Sequence, residues 1–329
     1  MNLILNPTTS IYDPSKLCDF GRCMRYGFYR HVLGWTLEEP SIHLVFGTAW
    51  HEAMEHLLLT DYSPENVQIA WQKLESIYRE FFPPSSDAIR LPKTPGVALT
   101  ALAEYAARWR AHDAKYETLH TEISGAVPIS PKYTLHFRMD SIVRNKETGK
   151  VSSIEHKTSS SKRYWDNAWT IAMQPYTYFH VMRMIYGATG VDATIMSGTF
   201  FYHTKTKGSR IELERIPISH SDDHMYQWQW EVCHLLDMIK WNFDALSLCS
   251  PDMSTMPAFP RETQSCSKYG TCQYHDLCCL WANPLQHCHV VPANFIQEFW
   301  DPREMDKSST EVVYVTEDGA DWKKEKTND

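Results

Sequence analysis

YTLHFRMDSIVRNKETGKVSSIEHK, residues Tyr133 to Lys157, reads as two strands joined by a short polar turn, with Asp140 on the first and Glu155 and Lys157 on the second. Successive strand side chains point to opposite faces, so Glu155 and Lys157 share one. The turn residues Asn145 to Gly149 put the hairpin midpoint near Glu147, and Asp140 then falls opposite Ile154 or Glu155. Two carboxylates and an ammonium converge on one spot. Such a set holds a divalent metal and positions a water beside a phosphate. A solvated strand face of mixed charge satisfies the same alternation, and the hairpin alone does not separate the two.

Working outward, helical spacing covers about Pro14–Trp35, Phe46–Thr60 and Gly96–Lys115, and Ser63-Pro64-Glu65 caps a further helix to about Phe81. The Pro- and Ser-rich PPSSDAIRLPKTPG is a loop. The strand region begins near Thr118. Past the hairpin come a helix from about Asn167 to Tyr186 and strands near Ala193–His203 and Arg210–Pro217. Ser221-Asp222-Asp223 then caps a long amphipathic helix to about Leu246. This order predicts an α/β (α+β) fold, a mixed central sheet flanked by helices. Residues 1–115 form its helical N-terminal part, 116–220 the sheet with its crossover helix, and 221–305 the long helix and a cysteine-rich segment. The charged tail, 306–329, is expected to be partly disordered.

At 329 residues the chain buries a sizeable core, and its many Trp and Tyr mark a folded protein. No apolar run is long enough for a bilayer and MNLILNPTTS is no secretory signal, so a soluble, cytoplasmic protein without membrane contact is expected. A net charge of −8 excludes a generally basic nucleic-acid binder but not a local basic groove, because carboxylates at a metal site add negative charge. Nine cysteines without a signal point to metal or cluster ligation rather than disulfides.

FGTAWHEAMEHLL carries His51, Glu52, Glu55 and His56. It is not a zinc-protease HExxH helix, because Glu55 stands four after His51 and His56 is rotated off that face. A single His51 reaching one metal alongside distant carboxylates is the functional reading, and a structural helical histidine the plain one. Downstream, Lys162 and Arg163 mix with Tyr164, Trp165 and Trp169, as cations and aromatics do in a single-strand channel. A core of aromatics with a solvated cationic edge gives the same composition. Gln174 and Tyr178, four apart, share a helix face, and Pro175 belongs to a first turn or a kink. In CSKYGTCQYHDLCC, Cys266, Cys272 and Cys278 are evenly spaced thiols suited to a zinc or iron–sulfur site, with the fourth ligand among Cys18, Cys23, Cys279 and Cys288.

Together these motifs resemble the PD-(D/E)xK nuclease superfamily, in its RecB-like branch of iron–sulfur exonucleases that includes CRISPR-associated and phage-encoded members. The resemblance runs from about Ser15 to Cys278 in the family's order. LCDFGRCMRYGFYRHVLGW looks like the segment with the N-terminal cluster cysteine, here Cys23, although Met24 stands where proline is common. FGTAWHEAMEHLL looks like the first motif, with His51 as the metal-binding histidine. MDSIV supplies Asp140 and IEHK supplies Glu155 and Lys157, while QPYTY places Gln174 and Tyr178 on the Q-x-x-x-Y element associated with DNA contact and site support. Five residues separate Cys266 from Cys272 where the best-known spacing has two, a form that resembles phage-type relatives. Glu122 corresponds to an acidic residue often found before the Asp strand, in surroundings that do not single it out.

The resemblance implies a restriction-endonuclease-like core and a Mg²⁺- or Mn²⁺-dependent DNA exonuclease acting on single strands or ends. His51, Asp140 and Glu155 would bind metal, with the His156 carbonyl as a further donor, and Lys157 would hold the attacking water. Cys23, Cys266, Cys272 and Cys278 would carry a structural 4Fe–4S cluster, with Zn²⁺ as the alternative. It also implies recombination, repair or CRISPR partner proteins, and the host cytoplasm for a phage-encoded chain. Two further readings stay open: a DNA-binding scaffold subunit that has lost catalysis, and a zinc-stabilised metallohydrolase.

Overall fold

Caps and breakers in the sequence set the element boundaries. The computed structural model describes residues 5–267, 270–316 and 318–324. Asp13 accepts the Lys16 N–H to cap α1 (Pro14–Arg22). A break at Cys23 separates α1 from α2 (Met24–Gly27), and a π-helical turn, Phe28–Val32, leads into β1 (Trp35–Leu37). Next come α3 (Ile42–Leu59) and α4 (Pro64–Phe81), the latter capped by the Ser63 side chain. The proline-rich loop contains the single turn α5 (Asp87–Arg90) before α6 (Pro95–Asp113).

Strands β2 (Tyr116–Ser130), β3 (Tyr133–Asn145) and β4 (Val151–Ser159) follow. The expected single helix from Asn167 to Tyr186 is two, α7 (Trp165–Thr170) and α8 (Met173–Tyr186). Pro175 explains the break. Its ring collides with the carbonyl four residues back, at Ile171, so a helix can start at Met173 but cannot run through. After β5 (Val191–Thr204), β6 (Gly208–Ile218) and α9 (Asp222–Leu246) come α10 (His275–Leu280), β7 (Phe295–Gln297) and α11 (Met305–Ser308).

The charged tail departs from expectation. It forms β8 (Glu311–Thr316) and β9 (Gly319–Lys324), an antiparallel pair. Val312, Val313 and Val315 are buried there, and a tail-wide charge count averages this short apolar run away. Residues 325–329 lie outside the described residues.

Seven strands make one mixed sheet in the order β6-β5-β4-β3-β2-β8-β9. β4 runs parallel to β5, which requires the crossover through α7 and α8, and antiparallel to β3. Helices α3, α4 and α6 pack on one face, where Phe46, Trp50, Leu74, Tyr78 and Leu102 surround Phe201 of β5. Its neighbour Phe200 points the other way and joins Met196 and Ile218 against Trp165 of α7. Gly198 of β5 is level with Lys157, and a Cβ there would lie 2.6 Å from Trp165 Cζ2, so only glycine lets α7 close down beside that lysine. Each fully buried large side chain in these clusters contributes about 1.5–3 kcal/mol of transfer free energy.

The chain forms two compact units. One comprises Met1–Glu39, Ala126–Phe137 and Asp222–Glu304, and the other Pro40–Gly125, Arg138–Ser221 and Met305–Asp329. The second contains α3 to α8 and the strand segments that bear the hairpin carboxylates. The first contains α1, α2, α9 and the cysteine-rich segment, with β1 and β7 as a small antiparallel pair.

Candidate active site

The hairpin pairs Ile142 with Ser153 and Arg144 with Val151, a register that continues to bring Asp140 level with Glu155. There side chains take over the pairing. Ser141 Oγ donates to the Ile154 carbonyl at 3.1 Å, the Asp140 N–H donates to Glu155 Oε1 at 3.2 Å, and the His156 N–H donates to Asp140 Oδ2 at 2.6 Å. The two carboxylates accept main-chain donors that a continued ladder would have used, so the strands open where the acidic groups collect.

Helix α3 delivers His51, whose Nδ1 lies 2.9 Å from Asp140 Oδ1. From β2 comes Glu122, and one ligand atom each of His51, Glu122 and Asp140 lie within 4.8 Å of one another. Glu122 is buried and has a φ of +46°, a conformation that costs a non-glycine residue about 1–3 kcal/mol and is found where function requires it. Several contacts hold it there. Arg138 Nε donates to its Oε2 at 2.8 Å, and the Thr310 N–H donates to its carbonyl at 3.0 Å. Glu55, one turn after His51, accepts the hydroxyls of Thr121 and Thr310 at 2.9 and 3.1 Å. Glu122 and its positioner Glu55 are the residues that sequence reading leaves out of the site. The signal for Glu122 was its place as the acidic residue on the strand before Asp140.

Three carboxylates in one buried site do not share charge equally. Burial pushes Asp140 up, but His51 and then Lys157 outweigh it, and its carboxyl lies well below the usual range. Burial, then the Asp140 charge, raise Glu155 well above its ordinary value, and the same two causes lift Glu122 to about 7. Carboxyls driven to hold protons beside an ionised aspartate form a site that a cation would stabilise.

The residues fit a hard divalent ion. Glu155 is fully buried and lies outside the group of His51, Glu122 and Asp140, and its Oε2 has no hydrogen-bond partner among the described residues. An octahedral ion with ligand distances of about 2.1 Å has neighbouring ligands about 3 Å apart, and His51 Nδ1 and Asp140 Oδ1 match that edge. His56 is not part of the group among the described residues.

Lys157 stands two residues after Glu155 on the same strand face, its ammonium 5.9 Å from the Trp169 ring centre and acting on both Asp140 and Glu155. The His156 ring lies on the opposite face, buried against Tyr105, so only the main chain of His156 reaches the carboxylates. Gln174 Nε2 donates to the Tyr178 hydroxyl at 2.7 Å, and that hydroxyl donates to the Arg138 carbonyl, two residues before Asp140. The pair therefore fixes the strand that carries the aspartate. Lys162 is ion-paired with Glu214 at 2.9 Å, whereas Arg163 lies over Tyr164 with its centre 4.8 Å from the ring. Pairing with Glu214 offsets the charge that a DNA-facing Lys162 would offer.

In the other unit the break at Cys23 lies against the segment before α10. The Arg25 N–H donates to the Pro260 carbonyl at 3.1 Å and the Glu262 N–H approaches Cys23 Sγ at 3.3 Å. The Cys272 N–H donates to the Cys266 carbonyl at 2.9 Å. Burial first, with Cys266 and Cys23 adding, raises the Cys272 thiol, and burial with Cys23 and Cys272 pushes Cys278 up to about 11. Cys266 and Cys23 bear on Cys272, and Cys23 and Cys272 on Cys278, as like charges that a cationic metal or cluster would relieve, although among the described residues no three of these sulfurs lie within 4.8 Å of one another. Cys288 donates instead to the Pro284 carbonyl, and Cys279 lies 3.7 Å from the His275 ring. All nine cysteines are free thiols. Lys268 and Tyr269, between Cys266 and Cys272, lie outside the described residues.

A family model, that of the PD-(D/E)XK nuclease superfamily, matches residues 13–279. No curated protein matches the chain. Similar solved structures include a Eubacterium rectale protein proposed to be an exonuclease, 15% identical over 71% of this chain and 81% of that one, with a TM-score of 0.39. Another is SSO0001, 16% identical over 54% of this chain and 80% of that one, with a TM-score of 0.22. Both are too distant to bear on activity.

Proposed function

The chain belongs to the PD-(D/E)XK nuclease superfamily, and from that premise we propose that it is a divalent-metal-dependent DNA exonuclease of the RecB-like iron–sulfur branch, acting on single strands or DNA ends. One observation carries the reading: His51, Glu122 and Asp140 converge within 4.8 Å beside the buried Glu155 Oε2, which has no hydrogen-bond partner among the described residues. Magnesium or manganese held by His51, Glu122, Asp140 and Glu155, with the His156 carbonyl as a further donor, would supply Lewis acidity for the attacking water and the leaving oxygen. Lys157 orients that water and offsets phosphate charge. Asp140 remains ionised through His51 and Lys157. Gln174 and Tyr178 hold its strand through the Arg138 carbonyl. Cys23, Cys266, Cys272 and Cys278 carry a cluster that ties the α1–α2 break to the segment around α10.

The test is incubation of end-labelled single- and double-stranded DNA with Mg²⁺ or Mn²⁺, using protein purified without oxygen and assayed for iron and visible absorption. Progressive shortening from one end is expected. Intact DNA under both metals would sink the nuclease reading, and zinc without iron would sink the cluster.

A further inference from the structure

We infer that Lys93 forms a second phosphate site on this nuclease, holding a DNA backbone phosphate beyond the one adjacent to the scissile phosphate, at the far end of an open track along α3. The inference rests on the nuclease reading above. Lys93 lies in the loop before α6 and is only 3% exposed. Its ammonium is 3.2 Å from Thr158 Oγ1 and 5.6 Å from the Phe46 ring centre, and among the described residues it has no carboxylate partner. A buried ammonium without a counter-ion is expensive, and folds that keep one put an anion against it. Burial alone lowers Lys93 to about 8, so it remains mostly protonated at neutral pH.

Its place in the fold identifies the anion. Thr158 follows Lys157 directly on β4, so the contact lies at the strand end that leaves the carboxylates. His43, in the first turn of α3, feels the Lys93 charge. His43, Gly47 and His51 are four apart and line one helix face. Gly47 leaves that face bare, since a Cβ there would meet nothing within 4 Å. From His43 to His51 the rise is about 12 Å. A strand crossing the bare backbone would have one phosphate at the metal-ligand cluster and a later one, beyond the adjacent phosphate, at Lys93. A compact ammonium beside a hydroxyl suits a phosphate oxygen.

The experiment measures cleavage and binding of single-stranded oligonucleotides carrying one neutral methylphosphonate at successive positions near the cleaved bond. Lys93→Met should raise KM about tenfold, with kcat nearly unchanged. It should flatten the dependence of log affinity on log salt by about one unit and leave thermal stability equal or higher. One methylphosphonate beyond the position adjacent to the cleaved bond should weaken wild type by the same factor and leave Lys93→Met unaffected. Gly47→Leu should weaken binding without lowering stability. Wild-type cleavage with no such non-additive position, or a Lys93→Met defect confined to stability, would overturn the site and leave the nuclease reading standing. Wild-type protein that neither binds nor cleaves DNA would overturn both.

Discussion

His51 Nδ1 and Asp140 Oδ1 face each other across 2.9 Å, tying helix α3 to strand β3 at the level where side chains replace the hairpin's main-chain pairing. The contact draws a histidine from one helix into a cluster otherwise built from strands. It also keeps Asp140 ionised while its neighbours Glu122 and Glu155 are driven to hold protons.

Lys157→Ala should reduce cleavage by about 10²–10⁴-fold and leave the fold and DNA binding in place. Circular dichroism and fluorescence anisotropy with labelled DNA check the second half. Cleavage at the wild-type rate in magnesium would remove Lys157 from the mechanism.

Glu122→Gln keeps the shape of the side chain and removes its charge. The concentration of Mn²⁺ needed for half-maximal cleavage should rise at least about tenfold, read from a metal titration at fixed DNA. An unchanged titration would mean that Glu122 is not a ligand.

The pH dependence follows from the raised glutamates. Glu122 holds a proton in the fold up to about pH 7 against an ordinary value of 4.5. Its contribution to the stability of the metal-free protein is therefore complete below that ordinary value and is lost as pH rises through about 7. Glu155 shifts in the same direction. Asp140 shifts the other way, and its contribution is lost only under strong acid. Thermal melts of metal-free protein should fall between roughly pH 5 and 8, and the rise in Tm on adding Mn²⁺ should grow across that window. A metal effect independent of pH would contradict the assignment.

Arg215→Met tests a buried pair away from the carboxylates. Arg215 and Asp113 are 4% and 7% exposed as side chains, and Arg215 Nη2 donates to Asp113 Oδ2 at 2.8 Å. Removing the guanidinium strands Asp113, at a cost of about 3–5 kcal/mol in urea unfolding. Activity per folded molecule should persist.

Cys272→Ala, purified without oxygen, should lose the visible absorption and iron expected of wild type and melt at lower temperature. Equal iron in both proteins would remove Cys272 from the ligand set.

The hairpin was legible because its information is local: alternation within Tyr133–Asn145 and Val151–Ser159, and turn residues that include Gly149 at a φ of +72°. The Gln174–Tyr178 pair was legible because four-residue spacing on a helix fixes which face a side chain takes, whereas His51 was singled out only by the family resemblance. The tail strands were not legible, because a charge count hides a short run of buried valines. The ion pair of Lys162 with Glu214 was not legible either, since Glu214 comes from β6, far along the chain.

By itself the sequence determined the α/β order and that Asp140 falls level with Ile154 or Glu155. Period, turn chemistry and spacing act within a few residues of the chain, and they need no partner to be read. Only the tertiary structure decided that Glu122 joins the site and that Lys93 is a buried cation with no carboxylate partner among the described residues. Glu122 is held in a strained backbone by contacts reaching from Glu55 to Thr310. Lys93 is enclosed against Phe46 and Thr158 from a loop whose composition marks it only as irregular. Burial and charge pairing are set by which distant segments pack together, and no local pattern carries that.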